Sequence, residues 1–326
     1  MPLLAIDIGG TNHSVALVRE DGRIVDQLRR PTERAGGRKW LLPRLEAACA
    51  EVLARAPARP VACGIGFGGP VDFAGQRVRR SNHAGGWSDF PLPAHLTARL
   101  GLPCVMDNDA NAAALGEFTF GAGAAAPALA GERGPRSMVY LTVSTGIGGG
   151  LIVNGEVYRG AKDMAGEAGH INVVPDGPLC VCGRRGCLEA VCSGTALGRQ
   201  ARLAARRRPR AWQPLIDAAG GRQRIEAKTV FDFARRGHRP SVVLIEAYSD
   251  HFGRALATLI ALLDPELVVI GGGVSLAGIP LFVPLRRAVA RHLPPFLPRG
   301  WRCVPARLGA NSVLCGAARL ALGYTA

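Results

Sequence analysis

The chain has 326 residues, 48% of them hydrophobic and 20% charged, a composition that favours a globular protein of about two domains with a substantial core. Its formal net charge of +15 would suit a polyanion, but the basic residues are spread along the chain without a helix-turn-helix or an aromatic-interleaved patch, so we expect a solvated basic surface and no nucleic-acid binding. No apolar run is long enough to span a membrane and the N-terminus lacks the basic region of a signal peptide, so we expect a cytoplasmic protein with no membrane partner.

Hydrophobic patterning predicts an α/β protein in which a strand–turn–strand unit occurs twice. Near the N-terminus, two alternating segments flank a glycine turn, and a helix closed by prolines and a buried strand follow. In the middle of the chain another apolar strand leads into a glycine turn and a further strand, and a third strand-to-glycine junction lies in the last third. The predicted strands cover residues 3–8, 14–18, 61–67, 137–144, 151–153 and 266–270, and the predicted helix covers about 40–56.

Three glycine-rich turns that follow strands are candidates for binding phosphate, because glycine lets backbone N–H groups approach phosphate oxygens and threonine adds a hydroxyl donor. A competing dinucleotide fingerprint, Gly64 to Gly69, is followed by Pro70-Val71-Asp72 instead of a helix, and no P-loop string occurs. We therefore expect nucleotide binding by the turns themselves. The residues concerned are Gly9, Gly10 and Thr11, then Thr145 and Gly146, then Gly272 and Gly273.

Four residues have the spacing of a metal site, H-x9-C-x-C-x4-C, formed by His170, Cys180, Cys182 and Cys187. Three thiolates and one imidazole make a closed tetrahedral set, the usual form of structural zinc. We therefore predict a structural Zn²⁺ in a loop. Cys192 lies outside the spacing and is expected to be buried.

Seven motifs occur in an order that resembles the ROK family (repressors, open reading frames, kinases) of the actin-like sugar kinase and Hsp70 superfamily. The resemblance covers nearly the whole chain, with Gly68 in place of a common proline and Ser144 in place of a frequent glycine. It implies a two-domain actin-like ATPase (ribonuclease H-like) fold, with residues 1–110 plus 309–326 in a small domain and 111–308 in a large one. The motifs are D-I-G-G-T (7–11), G-I-G-F-G-G-P-V-D (64–72), N-D-A-N-A-A-A-L-G-E (108–117), S-T-G-I-G-G-G (144–150), G-E-A-G-H (166–170), C-V-C-G-R-R-G-C-L-E (180–189) and G-G-G-V (271–274).

The resemblance also implies roles for individual residues. Asp109 is expected to be the general base that accepts the proton of a sugar hydroxyl, although Asp109 or Asn108 in this position could simply cap a helix. Asp7 would orient Mg²⁺ through water, and Asp107 would be structural. Trp87 is expected to pack its loop. The residues expected to contact the sugar are Gly68, Gly69, Asn82, Asn108, Asp109, Glu167, His170 and Glu189, with His170 also bound to zinc.

The function implied is ATP-dependent phosphorylation of a hexose at its 6-hydroxyl, with glucose as the leading substrate and Mg²⁺ as the cofactor. N-acetylmannosamine, N-acetylglucosamine, mannose, fructose or allose would use the same residues, so the sugar stays open. Polyphosphate as donor ranks below ATP. A sugar-sensing repressor is disfavoured because only Met1 to Ile6 precede the D-I-G-G-T turn. The family usually forms homodimers and sometimes tetramers.

Overall fold

A computed structural model describes residues 1–81, 85–126, 134–297 and 300–324. It has mixed α/β structure. The strands are β1 Pro2–Ile8, β2 Asn12–Arg19, β3 Ile24–Pro31, β4 Cys63–Phe67, β5 Val71–Asp72, β6 Arg77–Val78, β7 Cys104–Asn108, β8 Met138–Val143, β9 Ile147–Val153, β10 Glu156–Val157, β11 Leu267–Gly271 and β12 Arg302–Pro305. The helices are α1 Gly37–Ala54, α2 Leu92–Leu100, α3 Asp109–Phe120, α4 Leu188–Cys192, α5 Gly194–Arg207, α6 Pro209–Ala218, α7 Ala227–Arg235, α8 Arg239–Leu263, α9 Ile279–His292 and α10 Ser312–Tyr324, with short 3₁₀ helices at Ala168–His170, Arg222–Arg224, Gly273–Ala277 and Gly309–Asn311.

The chain forms two compact units. Unit 1 comprises Met1–Tyr140, Gly150–Gly166 and Arg307–Ala326, and unit 2 comprises Leu141–Gly149 and Glu167–Ala306. The domain boundaries expected from the family resemblance stay a prediction.

Unit 1 is built around a five-stranded sheet in the order β3-β2-β1-β4-β7. The strands β1, β4 and β7 are parallel, whereas β2 and β3 are antiparallel to their neighbours. Alternate residues of β1 enter different cores, since Leu4 and Ile6 pack with α1 and α2 while Leu3 and Ala5 pack with α10. The sheet is therefore covered by helices on both faces, as expected because its strand β1 has apolar residues on both faces.

Helices α3 and α10 approach each other closely because glycines stand at their contact. A Cβ on Gly316 would lie 1.6 Å from the carbonyl oxygen of Ala112, and one on Gly116 would lie 2.3 Å from that of Ser312. The approach fixes α3, whose first residue is Asp109, against the C-terminal helix.

The second sheet has the order β10-β9-β8-β11-β12, in which β11 and β12 are parallel. Within unit 2, α8 packs against α4, α7 and α9, and α5 packs against α6 and α7. The sequence predicted a turn through Gly150, but β9 already begins at Ile147. Gly150 can lie in the strand because it has no side chain and leaves room for Ala110. A Cβ on residue 150 would lie 2.6 Å from the carbonyl oxygen of Ala110. Among the described residues, no helix is long and apolar enough to cross a membrane.

Candidate active site

The carboxyl ends of the parallel strands in unit 1 bring three of the predicted motifs to one edge of the sheet. Asp7 of β1 is in register with Gly66 of β4, which is in register with Asp107 of β7. Asp109 follows directly after β7 as the first residue of α3. Ligands of open α/β sheets bind at this edge, so the sheet places two carboxylates where a substrate can reach them.

The charge of one carboxylate affects the other. The pKa of Asp7 is raised from 3.8 to about 7, first by burial, second by the negative charge of Asp109, and against the opposing charge of Arg29. Burial also raises the pKa of Asp107, although the nearby Arg159 opposes the shift. A carboxylate pair of this kind is a candidate to hold a divalent cation or to accept a proton.

Asn108 connects the start of α3 to the glycine loop after β4. Its Oδ1 accepts hydrogen bonds from the backbone N–H of Ala110 (2.9 Å) and of Asn111 (3.3 Å), so it is the N-cap of α3. Its Nδ2 donates to the carbonyl oxygen of Gly69 at 3.1 Å. The N–H of Gly68 donates to the carbonyl oxygen of Ile8 at 2.8 Å. The helix-cap alternative is therefore realised by Asn108, while its predicted contact with the sugar stays a prediction.

The first glycine turn is held by backbone hydrogen bonds that leave Thr11 exposed. The N–H of Gly9 donates to the carbonyl oxygen of Asn12 at 3.0 Å, and the carbonyl oxygen of Thr11 accepts from the N–H of Thr32 at 2.8 Å. The Nε of Arg34 donates to the carbonyl oxygen of Gly10 at 2.6 Å. The N–H of Gly9 is used within the turn, but a backbone fixed in this way can present its other amides and the Thr11 hydroxyl to phosphate.

The second turn, in unit 2, is closed by a carboxylate. The N–H of Ser144 donates to the carbonyl oxygen of Gly146 at 2.9 Å, and the N–H of Ile147 donates to Oε2 of Glu189 at 2.9 Å. A Cβ on Gly146 would lie 2.5 Å from that same oxygen. Glu189 thus contacts the Thr145–Gly146 turn directly, a contact that its position in the motif does not reveal.

The third turn lies beside the second, because β8 and β11 are neighbours in the sheet. Gly272 has φ +76°, and a Cβ there would lie 2.4 Å from the carbonyl oxygen of Val143. Gly273 begins the 3₁₀ helix that follows. Only glycine satisfies both the positive φ and the close approach at residue 272.

The four predicted metal ligands lie together. One donor atom from each of His170, Cys180, Cys182 and Cys187 falls within 4.8 Å of the others. Cys182 Sγ is 3.6 Å from Cys187 Sγ, and Cys180 Sγ is 3.7 Å from His170 Nδ1. Tetrahedral zinc with Zn–S bonds of about 2.3 Å separates its sulfur ligands by about 3.8 Å, so the donor set fits this ion.

Glycines give the cysteine loop its shape. Gly186 has φ +70°, and a Cβ there would lie 1.6 Å from the carbonyl oxygen of Val174. The N–H of Cys180 donates to the carbonyl oxygen of Arg184 at 2.8 Å. Cys192 lies apart, buried with its Sγ 3.6 Å from the carbonyl oxygen of Tyr248, as its spacing predicted.

His170 faces two ways. Its Nδ1 points to the cysteines, and its Nε2 is 3.7 Å from Oε2 of Glu167. Metal binding at Nδ1 would leave Nε2 available to a ligand, which is the dual role expected for this residue. A metal here would orient both side chains.

Two further predictions concern the loop after β6. Asn82 lies outside the described residues. Trp87 is 1% exposed, with ring-centroid distances of 5.3 Å to Phe67 and 5.9 Å to Phe90, which confirms that it packs the loop.

The ROK family model matches residues 3–323 of the chain. The chain belongs to the ROK family. It is 37% identical over 320 residues to a glucokinase of Thermotoga maritima, covering 98% of this chain and 97% of that protein. It is 36% identical over 276 residues to an N-acetylmannosamine kinase of Yersinia pestis, covering 84% and 83%. A ROK family glucokinase from Streptomyces griseus, solved in complex with glucose and AMPPNP, matches 99% of this chain and 100% of that chain with 34% identity and a TM-score of 0.84. The fold is that of the actin-like ATPases, as the motifs implied.

Glu117, the last residue of the 108–117 motif of this ROK protein, supports the functional site, and no role was predicted for it from the sequence. Its side chain is completely buried and accepts four hydrogen bonds. The donors are the backbone N–H groups of Ala122, Arg307 and Leu308 and the hydroxyl of Ser312, at 2.8 to 3.0 Å. Its place at the end of a motif that begins with Asn108 and Asp109 was the available signal.

Proposed function

We propose that this ROK protein is an ATP-dependent hexokinase that phosphorylates glucose at its 6-hydroxyl. The proposal is supported by 34–37% identity to glucokinases over nearly the full chain. The observation that carries it in the structure is the carboxylate of Asp109, which begins α3 at the carboxyl edge of the parallel strands beside Asp7. Phosphoryl transfer to an alcohol needs one carboxylate positioned to accept the proton.

In the proposed reaction Asp109 accepts the proton of the sugar 6-hydroxyl while that oxygen attacks the γ-phosphorus of ATP. The new O–P bond forms as the bond between the γ-phosphorus and its bridging oxygen breaks, and ADP leaves with that electron pair. Thr11, Thr145 and the amides of the glycine turns donate hydrogen bonds to the phosphates. The N–H groups of Gly9 and Ser144 donate within their own turns and fix the backbone, so the other amides of these turns need little reorganisation as charge develops.

Asp7 is proposed to hold Mg²⁺ through water. Mg²⁺ held there would supply positive charge against the negative charge of the phosphates. The fit rests on the donor set, since Asp7 lies near the carboxyl end of β1 and Asp109 begins α3 at the same edge of the sheet, and carboxylates are the ligands that Mg²⁺ prefers. Burial and the negative charge of Asp109 raise the pKa of Asp7, and a divalent cation would oppose that charge repulsion.

A structural Zn²⁺ is proposed at His170, Cys180, Cys182 and Cys187. Cys187 precedes α4, so the metal would fix the helix that carries Glu189. Glu167, His170 and Glu189 are proposed to bind the sugar hydroxyls, together with Asn82, Asn108, Gly68 and Gly69. Metal loss would then weaken sugar binding through the loop.

N-acetylmannosamine is the second candidate substrate, favoured by 36% identity to the Yersinia pestis kinase. The same base and phosphate turns serve either sugar, because the difference lies at the 2-position. We also propose that the protein is cytoplasmic and forms a homodimer. Light scattering after gel filtration would test the homodimer through its molar mass.

The test is ADP release coupled to a reporter reaction, with MgATP and a panel of sugars that includes both candidates. With polyphosphate in place of ATP, which releases no ADP, formation of the sugar phosphate is measured instead. Asp109→Asn should lower kcat by about 10²–10⁴-fold while glucose still binds in calorimetry. Asp26→Asn is the matched control, because it removes the same negative charge from a residue of β3. This variant should keep activity within about twofold. A preference for the N-acetylated sugar would keep the mechanism and replace the substrate. An Asp109→Asn enzyme with undiminished kcat would remove Asp109 as the base.

A further inference from the structure

Asp107, two residues before the proposed base in the chain, forms an ion pair with Arg159. The carboxylate of Asp107, whose residue is 3% exposed, binds Arg159 from the segment after β10. The Nε of Arg159 is 2.9 Å and its Nη2 2.8 Å from the same oxygen, Oδ2. The guanidinium also stacks 3.5 Å from the centroid of the Phe73 ring. Two donors and one aromatic face therefore fix the orientation of this arginine.

The other oxygen of Asp107 acts on the beginning of α3. Oδ1 accepts from the backbone N–H of Asn108 at 2.7 Å and from Nδ2 of Asn111 at 3.0 Å. These two residues flank Asp109 on either side along the chain. The carboxylate thus links Arg159 on one side to the backbone that carries Asp109 on the other.

The segment that carries Arg159 is itself anchored in unit 1. The N–H of Phe73 donates to Oδ2 of Asp163 at 3.2 Å, and Arg79 lies 3.5 Å from that same oxygen. Nη1 of Arg159 is 3.4 Å from the carbonyl oxygen of Val157. The arginine therefore does not adapt freely to a movement of Asp107.

We propose that Arg159 is a positioning residue for the phosphoryl transfer, which holds Asp107 so that its carboxylate fixes the first turn of α3 and the side chain of Asp109. The inference rests on the proposed kinase function. It assigns Arg159 a part in kcat, because Asp109 acts in the transition state and a displacement of about 1 Å can cost about 10²-fold in rate. The first glycine turn has its own hydrogen bonds to Asn12 and Thr32, so ATP binding should not depend on Arg159.

A role limited to stability is the alternative, and a set of variants separates the two. Arg159→Met leaves the Asp107 carboxylate buried without its partner, and Asp107→Asn combined with Arg159→Met removes that charge. Arg159→Lys keeps a positive charge but loses the paired donors and the stacked face. Arg55→Met is the matched control, since it removes an arginine that pairs with Asp26 and Glu51 away from α3.

The first measurement is thermal unfolding, which needs no substrate. Arg159→Met should lower Tm by roughly 10 °C, and the double variant should recover much of this loss because the unpaired charge is gone. If Arg159→Met and the double variant both unfold at the wild-type temperature, the ion pair between Asp107 and Arg159 is not formed and the proposal fails.

The second measurement is steady-state kinetics, normalised to the number of glucose sites found by calorimetry. Arg159→Met should lower kcat per site by about 10- to 100-fold and leave the KM for MgATP within about twofold. The double variant should keep this low kcat despite its recovered Tm, and Arg159→Lys should stay about fivefold or more below wild type. Arg55→Met should keep the wild-type kcat.

Three results would overturn the proposal: a wild-type kcat per site in Arg159→Met, a wild-type kcat in Arg159→Lys, or a kcat that returns together with Tm in the double variant. Failure of the proposed function has a different signature, because the wild-type chain would then phosphorylate no sugar while the thermal coupling between residues 107 and 159 persisted.

Discussion

Replacing Glu117 by glutamine should destabilise unit 1 strongly, although the two side chains have almost the same shape. One carboxylate oxygen, Oε2, accepts from the N–H groups of Ala122 and Arg307, and the other, Oε1, accepts from the N–H of Leu308 and the hydroxyl of Ser312. A glutamine has one oxygen and one NH₂ group. Whichever way the amide turns, its NH₂ faces at least one backbone N–H that donates to the carboxylate of Glu117 in the wild-type chain.

The least costly orientation determines the magnitude. With the NH₂ towards Leu308, the Ser312 hydroxyl can rotate towards the carbonyl oxygen of Gly309. One hydrogen bond to a charged acceptor is then lost, about 1.5–3 kcal/mol, and the partly buried N–H of Leu308 is left unsatisfied, about 1–3 kcal/mol. The sum is roughly 2.5–6 kcal/mol, a large part of the roughly 5–15 kcal/mol that stabilises a typical domain. With an m value of about 2 kcal/mol/M, the urea midpoint should fall by about 1.2–3 M.

The assay is urea unfolding followed by circular dichroism and by tryptophan fluorescence. Glu20→Gln is the matched control, because it removes the same charge from an exposed pair with the N-terminal amine and should cost less than about 1 kcal/mol. Glu117→Ala, which removes the acceptor of three backbone N–H groups at once, should not accumulate as a folded protein. A Glu117→Gln protein within about 1 kcal/mol of wild type would refute the hydrogen-bond argument.

Three further predictions concern metal, pH and packing. Cys187→Ser should reduce the zinc content measured by mass spectrometry and raise the KM for glucose by about 10-fold or more, because the helix carrying Glu189 loses its anchor; full activity without zinc would contradict this. Because the pKa of Asp7 is raised to about 7, this carboxyl group holds a proton at lower pH, and the proton competes with Mg²⁺. The Mg²⁺ concentration for half-maximal rate should therefore rise about tenfold per pH unit as the pH falls below about 7. A Mg²⁺ requirement that stays constant from about pH 6 to about pH 8 would be evidence against Asp7 as the Mg²⁺ residue. Gly316→Ala should cost more than about 2 kcal/mol in thermal unfolding, since its Cβ would overlap the Ala112 carbonyl oxygen, and an unchanged Tm would show that α10 can shift freely.

Local patterns were sufficient to predict the first strand–turn–strand unit. The predicted strands 3–8 and 14–18 fall within β1 and β2, because alternation and a glycine turn are properties of adjacent residues. The start of β9 could not be predicted in the same way. A run of glycines indicates a turn, whereas here Gly150 lies in a strand for the sake of a contact with Ala110, 40 residues earlier in the chain.

The difference between local patterns and contacts of distant segments also holds for the candidate site and the residues that position it. Asp7, Asp109 and the glycine turns stand in short motifs because phosphate and proton chemistry need particular groups at close spacing in the chain. Arg159 and the partners of Glu117 belong to no such pattern, since Arg159 is 52 residues from Asp107 and Leu308 is 191 residues from Glu117. A single contact between distant segments leaves no periodicity and requires no neighbouring residue type. The groups that act on a substrate could therefore be proposed from the sequence, but the groups that hold them in place had to be found in the folded chain.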